Sequence, residues 1–165
     1  VLEQLIYFGR LRGMKKENAR KSALHLMERL QVMEYQNTPA EKLSKGNQQK
    51  IQLIAAIIHN PRLIFLDEPF SALDYQTRLQ VGDDIGQIIR NEKKSALLVT
   101  HDLSEAISLA DRVIVLSRRP AAIIQTIPLI FHLEEDTPMN RRNAPEFKSY
   151  FNLIWKELNQ DEKSS

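Results

Sequence analysis

The chain has 165 residues, 42% hydrophobic and 27% charged, a globular rather than disordered profile with room for one core of ordinary size. Its 23 basic and 21 acidic residues leave a net charge of +2, too balanced to argue for nucleic acid or an anionic membrane as partner. There is no cysteine, which excludes disulfides, zinc-thiolate sites and thiol nucleophiles. No apolar run approaches the roughly 18–20 residues that span a bilayer, and no signal peptide is recognisable, so the expected setting is the cytoplasm or a membrane-bound partner. The sequence starts with Val1 rather than Met, inside an apolar helical pattern.

Residues 1–11 place Leu2, Leu5, Ile6 and Phe8 at helical spacing, and Gly13 ends the segment. Residues 15–33 read as a second amphipathic helix, with Ala19, Ala23, Leu24, Leu26, Met27, Leu30 and Met33 inward. The basic cluster of Arg10, Arg12, Lys15, Lys16, Arg20 and Lys21 reads as solvated helix faces, because no aromatics are interleaved with it. A loop with Asn37, Thr38 and Pro39 leads to Leu43-Ser44-Lys45-Gly46-Asn47-Gln48-Gln49-Lys50, which opens a helix running to about His59. Ser44 is a natural N-cap, and Gly46 lets the backbone approach whatever faces that end. Such a start is either only a cap or, through its free N–H groups and positive dipole, an anion site.

Leu63-Ile64-Phe65-Leu66-Asp67-Glu68-Pro69 is the stretch around which the chain is organised. Its length and its proline borders favour a strand, and a strand apolar on both faces belongs inside a parallel sheet covered by helices. Ligands gather at the carboxyl ends of such strands, where Asp67 and Glu68 stand. Two adjacent carboxylates there either suit a Mg²⁺ ion and an activated water or form a solvated acidic turn. Asp74 is placed to cap a helix over residues 75–92, in which Gly82 and Gly86 predict close packing on their side. Residues 95–100 read as a second buried strand ending at His101, a phosphate or water contact or an unremarkable surface histidine. Ser104 is expected to cap a short helix to Ala110; a strand over 112–117 then pairs with one over 122–127 after the Arg118-Arg119-Pro120 turn.

The tail is punctuated by Pro128, Pro138 and Pro145. A last helix over 145–158 carries Phe147, Tyr150, Phe151, Ile154, Trp155 and Leu158 on one face, for packing or for interaction with another protein. Residues 160–165 are expected to be disordered.

The order of these pieces resembles the nucleotide-binding subunit of an ATP-binding cassette (ABC) transporter over residues 1–127. LSKGNQQK resembles the signature usually written LSGGQ, LIFLDEP the Walker B strand, SALD the D-loop and VTHD the H-loop. The resemblance implies an α/β fold: an incomplete P-loop NTPase (RecA-like) parallel sheet with the ABC helical subdomain in residues 1–43, the signature-to-H-loop core in 44–127 and a C-terminal helical extension in 128–165. It implies ATP and Mg²⁺ as cofactors. Asp67 would hold Mg²⁺, Glu68 would polarise the attacking water, and His101 would contact the γ-phosphate. Ser44, Lys45, Gly46, Asn47 and Gln48 would form the helix start that faces ATP on a second ATP-binding subunit, and Asp74 would cross that dimer interface. The implied partners are that subunit, transmembrane permease subunits and a solute-binding protein, with no nucleic acid, at the cytoplasmic face of the membrane.

The sequence departs from the family at Lys45, where Gly is usual, and at Asn47, where Gln is usual. Its front half looks exporter-like and its back half resembles importers of nitrate, sulfonate or taurine, with a seam near residues 65–70. The glycines at 9, 13, 46, 82 and 86 form no G-x-x-x-x-G-K-[ST] phosphate loop. The chain thus resembles the last two-thirds of the domain, without the phosphate loop and its strand. The expectation is a partial subunit of a transport ATPase, inactive by itself. The alternatives are a non-catalytic module docking on a partner ATPase or membrane subunit, and an exporter-type ATPase. A cassette ATPase of DNA repair or translation is disfavoured by the near-neutral charge and by the HDLSEA-to-VIVLSRRP stretch.

Overall fold

The computed structural model describes residues 1–163. Contacts gather the chain into two compact units, Val1–Val99 and Thr100–Ser165.

In the first unit, helix α1 (Leu2–Leu11) packs on α2 (Lys16–Arg29). The crossing is close because it is lined by small residues. A Cβ placed on Gly9 would lie 2.9 Å from the Cβ of Ala19, which is fully buried. Phe8, expected inward, is 37% exposed, and Gly9 takes the inward place instead. Helix α2 stops at Arg29 rather than continuing to Met33. Gln31 adopts a left-handed backbone (φ 55°) that reverses the chain, Val32 fills the core, and Met33 opens a 3₁₀ turn, Met33–Tyr35.

A second 3₁₀ turn, Ala40–Lys42, feeds α3 (Lys45–Ile57), whose inward face carries Ile51, Leu53, Ile54 and Ile57. Strand β1 (Leu63–Asp67) follows, then α4 (Tyr75–Asn91) and β2 (Ser95–Val99). The two strands pair in parallel, with Leu63 opposite Ser95 and Asp67 opposite Val99. Burial of β1 alternates instead of covering both faces: Ile64 and Leu66 are buried, whereas Leu63 and Phe65 are exposed, Phe65 by 69%. Strand β2, expected to be buried, is largely exposed, including Leu97 and Val99. The register puts Leu63, Phe65, Leu97 and Val99 on one face. A parallel sheet is buried on both sides only where helices cover both, and among the described residues this face is open. The close packing expected at Gly82 is also not found, since a Cβ there would meet no heavy atom within 4 Å.

In the second unit, α5 (Leu103–Leu109) precedes an antiparallel hairpin of β3 (Arg112–Leu116) and β4 (Ile123–Pro128), with a register irregularity at Val115/Leu116. The expected pairing of these strands is thus observed. The two pairs form separate two-stranded sheets. Ile107, Val115, Ile127, Leu129 and Ile154 make a core, flanked by Phe131, Phe147, Tyr150 and Phe151.

The tail is more ordered than its prolines suggest. Thr137 caps a short helix α6 (Pro138–Asn143), its hydroxyl accepting from Asn140 N–H at 3.1 Å, with Pro138 in the first turn. Helix α7 (Pro145–Lys163) buries Ile154, whereas Trp155, expected on the packed face, is 56% exposed and Leu158 is exposed too. The tail expected to be disordered from residue 160 is helical to Lys163; Ser164 and Ser165 lie outside the described residues.

Buried Arg141 fixes this tail. It forms a bidentate pair with Asp136 (2.5 and 2.7 Å), donates to the Ala110 carbonyl at 2.5 Å, and stacks 5.0 Å from the Phe131 ring centroid.

Candidate functional site

The start of α3 is built as a cap. Ser44 Oγ accepts from Asn47 N–H at 3.3 Å, and no acidic residue in the first turn neutralises the helix dipole. Gln48 turns back into its own approach loop, donating from Nε2 to the Ala40 and Leu43 carbonyls at 3.2 and 3.1 Å. Ser44 and Lys45 are exposed, while Gly46, Asn47 and Gln48 are half-buried. Gly46 lies close to the turn that follows β1. A Cβ there would lie 3.3 Å from Leu73 Cδ2 and 3.6 Å from the Ala72 carbonyl.

Asp67 closes β1 and is exposed; Glu68 steps out of the strand half-buried, its N–H donating to the Val99 carbonyl at 2.9 Å. Glu68 adopts a left-handed backbone (φ 45°), rare for a residue with a side chain. Its carbonyl accepts from Ser71 N–H at 3.2 Å and from Ser71 Oγ at 3.0 Å. Buried Pro69, Phe70 and Leu73 anchor the turn from below.

The link to α3 is Gln49. Its Nε2 donates to the Glu68 carbonyl at 3.1 Å, and its Oε1 accepts from Ala72 N–H at 2.9 Å. The signature-like helix start and the carboxylate tip of β1 are thereby joined by hydrogen bonds. Asp74 caps α4, as expected, by accepting from Thr77 N–H at 3.0 Å. Bonds from the Thr77 side chain and amide hold the Asp74 carboxyl below its ordinary pKa. Lys50, half-buried one residue beyond Gln49, has its pKa pulled down by desolvation, against the opposing charges of Asp74 and Asp84.

His101 belongs to the second unit, where it is exposed. Its chain neighbours are pinned on both sides. Thr100 Oγ1 donates to buried Glu105 at 2.8 Å and accepts from Asp102 N–H at 3.0 Å. Asp102, not Ser104, is the N-cap of α5, with Oδ1 accepting from Ser104 and Glu105 N–H at 2.8 and 3.2 Å. Both residues suit a cap. Asp102 takes the place because its carboxylate reaches two first-turn N–H groups, while its own N–H is held by Thr100 Oγ1, which in turn donates to the Glu105 carboxylate.

Among the described residues no group of three or more His, Cys, Asp or Glu side chains can hold a metal ion. The exposed carboxylate of Asp67 is a hard oxygen donor that fits Mg²⁺ when phosphate and water supply the remaining ligands. A shallow concavity lined by Asn60, Arg62, Leu63, Lys94 and Ser95 lies at the amino ends of β1 and β2, away from these carboxylates.

The sequence pattern of the ABC transporter family matches residues 1–71. An uncharacterized ABC transporter ATP-binding protein of Bacillus subtilis is 36% identical over 147 residues, covering 89% of this chain and 56% of the relative. A taurine import ATP-binding protein of Yersinia pestis is 35% identical over 146 residues, covering 86% of this chain and 57% of the relative. Spans of that extent run across residues 65–70, so single relatives align on both sides of the expected seam. Among solved structures, a dimeric bacterial ABC transporter cassette matches with a TM-score of 0.63 and 26% identity, covering 73% of this chain and 51% of that one. The chain spans about half the length of the curated relatives it matches. On these matches, and on the signature, Walker B, D-loop and H-loop motifs in their order, the chain belongs to the ATP-binding proteins of the ABC transporter family.

Proposed function

We propose that the chain contributes the signature, Walker B, D-loop and H-loop parts of an ATPase that drives a solute across a membrane, of the nitrate, sulfonate or taurine import type. The observation that carries this reading is the hydrogen-bonded tie through Gln49 between the start of α3 and the Asp67–Glu68 tip of β1. The import type is supported by the likeness to the taurine import protein across 86% of the chain.

In this reading Asp67 offers a carboxylate oxygen to Mg²⁺, and Glu68 accepts the proton of the water that attacks the γ-phosphorus. His101 contacts the γ-phosphate and helps orient that water. The bond from water oxygen to phosphorus forms as the β–γ bridging bond breaks, and positioning and charge neutralisation carry most of the rate. Mg²⁺, when bound, draws charge from the phosphate oxygens. Ser44, Lys45, Gly46, Asn47 and Gln48 present the positive end of α3 to ATP on a second ATP-binding subunit, and Asp74 faces that subunit. Transmembrane permease subunits and a solute-binding protein complete the assembly, with this chain peripheral at the cytoplasmic face. Among the described residues no helix is long and apolar enough to cross a membrane.

The test is ATP turnover. The purified 165-residue chain should hydrolyse none, because its glycines form no phosphate loop. Joined to a phosphate-loop segment of an ABC cassette, it should turn over ATP, and Glu68→Gln should lower that rate by roughly 10²–10⁴-fold. Turnover that survives Glu68→Gln would overturn the reading. A second reading is a non-catalytic module that completes a partner's site through its signature, which the exposed Ser44 and Lys45 at the start of α3 support. Adding the chain to a cassette that has a phosphate loop should then raise the partner's turnover, and Ser44→Arg should abolish the gain.

A further inference from the structure

Glu68 holds a backbone conformation that residues with side chains rarely adopt and that persists only where its surroundings impose it. The carbonyl of this residue is met by donors from two directions. Ser71 reaches it from within the turn, at 3.0 and 3.2 Å, and Gln49 Nε2 reaches it from α3 at 3.1 Å. The same carboxamide accepts from Ala72 N–H at 2.9 Å, so one planar group spans the turn from its first residue to its fifth. Gln49 sits on the second turn of a helix whose start is fixed by the Ser44 cap and by the Gln48 bonds to Ala40 and Leu43. Gly46, one helical turn earlier, lies against the same turn: a Cβ there would come 3.3 Å from Leu73 Cδ2, a tight approach, and 3.6 Å from the Ala72 carbonyl, an ordinary contact. The start of α3 and the 68–73 turn are therefore one mechanical piece, joined at Gly46 by contact and at Gln49 by hydrogen bonds.

We propose that Gln49 is a positioning residue for Glu68. Its carboxamide holds the left-handed step that aims the Glu68 carboxylate, and it makes that aim follow the position of the α3 start within the same chain. A ligand or partner that presses on Ser44 and Gly46 is then felt at Glu68. The proposal rests on the reading of Glu68 as the base and adds the residue that sets its geometry.

Two measurements test it. In the 165-residue chain, deuterium uptake is followed by mass spectrometry in wild type and in Gln49→Met, which keeps the length and volume but has no amide. Uptake in a peptide covering residues 68–73 should become at least about 10-fold faster, because local protection there depends on the bridge, while peptides of α1 and α2 stay unchanged. Unchanged uptake in 68–73, or an equal rise throughout the chain, would overturn the proposal. In the chain joined to a phosphate-loop segment, Gln49→Met should lower kcat about 10-fold or more with KM for ATP within about 2-fold, the split expected when aim rather than binding is lost. Faster local exchange with unchanged kcat would make Gln49 a structural tie only and sink the positioning role. The two readings fail separately: turnover that survives Glu68→Gln defeats Glu68 as the base, whereas the exchange result speaks only to the hold of Gln49 on the turn.

Discussion

Arg141 Nη1 lies 2.5 Å from the carbonyl oxygen of Ala110, so a guanidinium from the C-terminal extension caps the last turn of α5. That end of a helix carries unsatisfied carbonyls and partial negative charge, which a buried cation satisfies. Arg141 is 4% exposed, and its pairing with Asp136 and stacking on Phe131 offset the cost of burying the charge. Arg141→Met keeps most of the apolar stem and removes every one of these bonds. It should cost about 2–3 kcal/mol, the range for hydrogen bonds to charged groups that leave partners unsatisfied. Urea unfolding followed by helix signal reads the loss. A change under about 0.5 kcal/mol, the level of an ordinary surface substitution, would mean that the extension does not depend on this residue.

The α1–α2 crossing makes a prediction in which two effects oppose. Gly9→Ala improves helix propensity by up to about 1 kcal/mol. The added Cβ would lie 2.9 Å from Ala19 Cβ and 3.1 Å from Met14 Sδ. The methionine can swing away, but Ala19 is fully buried on a packed helix and yields only if the helices separate. Overpacking of this kind costs about 1–3 kcal/mol, so the variant should be less stable by roughly 1 kcal/mol net. Adding Ala19→Gly removes the clash and should recover part of the loss, which a double-mutant cycle of urea midpoints measures. A Gly9→Ala chain more stable than wild type would show that the crossing is looser than its geometry.

What was legible in the sequence is mostly short-range chemistry. Ser44 and Asp74 both cap the helices they precede, because a cap needs only its own side chain and the next turn. The Leu63–Asp67 strand and its carboxylate tip were legible from an apolar run closed by Pro69. Burial was less so: whether Phe65 is covered depends on what packs over it, which the strand itself does not encode. Asp102 and Ser104 are both good caps by residue type, and the choice turns on the Thr100 hydroxyl, which holds the Asp102 N–H and the Glu105 carboxylate together. Thr137-Pro138, a cap followed by a first-turn proline, is likewise a helix start written in local sequence. Gln49 was not legible at all. Its partners stand 19 and 23 residues away, and no local pattern distinguishes it from Gln48 beside it.

Asp74 supplies a pH-dependent contribution with a definite sign. Bonds from the Thr77 side chain and amide depress its folded pKa, with desolvation opposing. Its stabilising effect is therefore present above the unfolded aspartate pKa of about 3.9 and is lost as pH falls through the lower folded value. Asn caps about as well as Asp but does not titrate, so Asp74→Asn keeps the cap and removes this pH dependence. Urea midpoints measured from neutral pH down to about pH 3 should show the wild type ahead near neutrality and the two chains converging in acid. Curves that stay parallel throughout would show that the charge of Asp74 contributes nothing to the cap. Asp74→Ala should lose stability at every pH and fray α4 first.

Leu63, Phe65, Leu97 and Val99 make an exposed apolar strip on one face of the β1–β2 pair, with Phe65 at its centre by register. A short two-stranded sheet also leaves open strand edges, and the two together favour association of chains. The purified 165-residue chain should self-associate at micromolar concentration. Burying one exposed aromatic of this size is worth about 1.5–3 kcal/mol, so removing it from an interface weakens association by one to two orders of magnitude. Phe65→Thr keeps a β-branched residue in the strand while deleting the ring, and it should move the species toward monomer in sedimentation velocity. Trp155→Gln, on the exposed side of α7, is the control that tells the strip from general stickiness. If only the Trp155 change dissolves the assembly, α7 and not the β1–β2 face holds the chains together. A wild type that remains monomeric and melts sharply would show that the open face does not drive association.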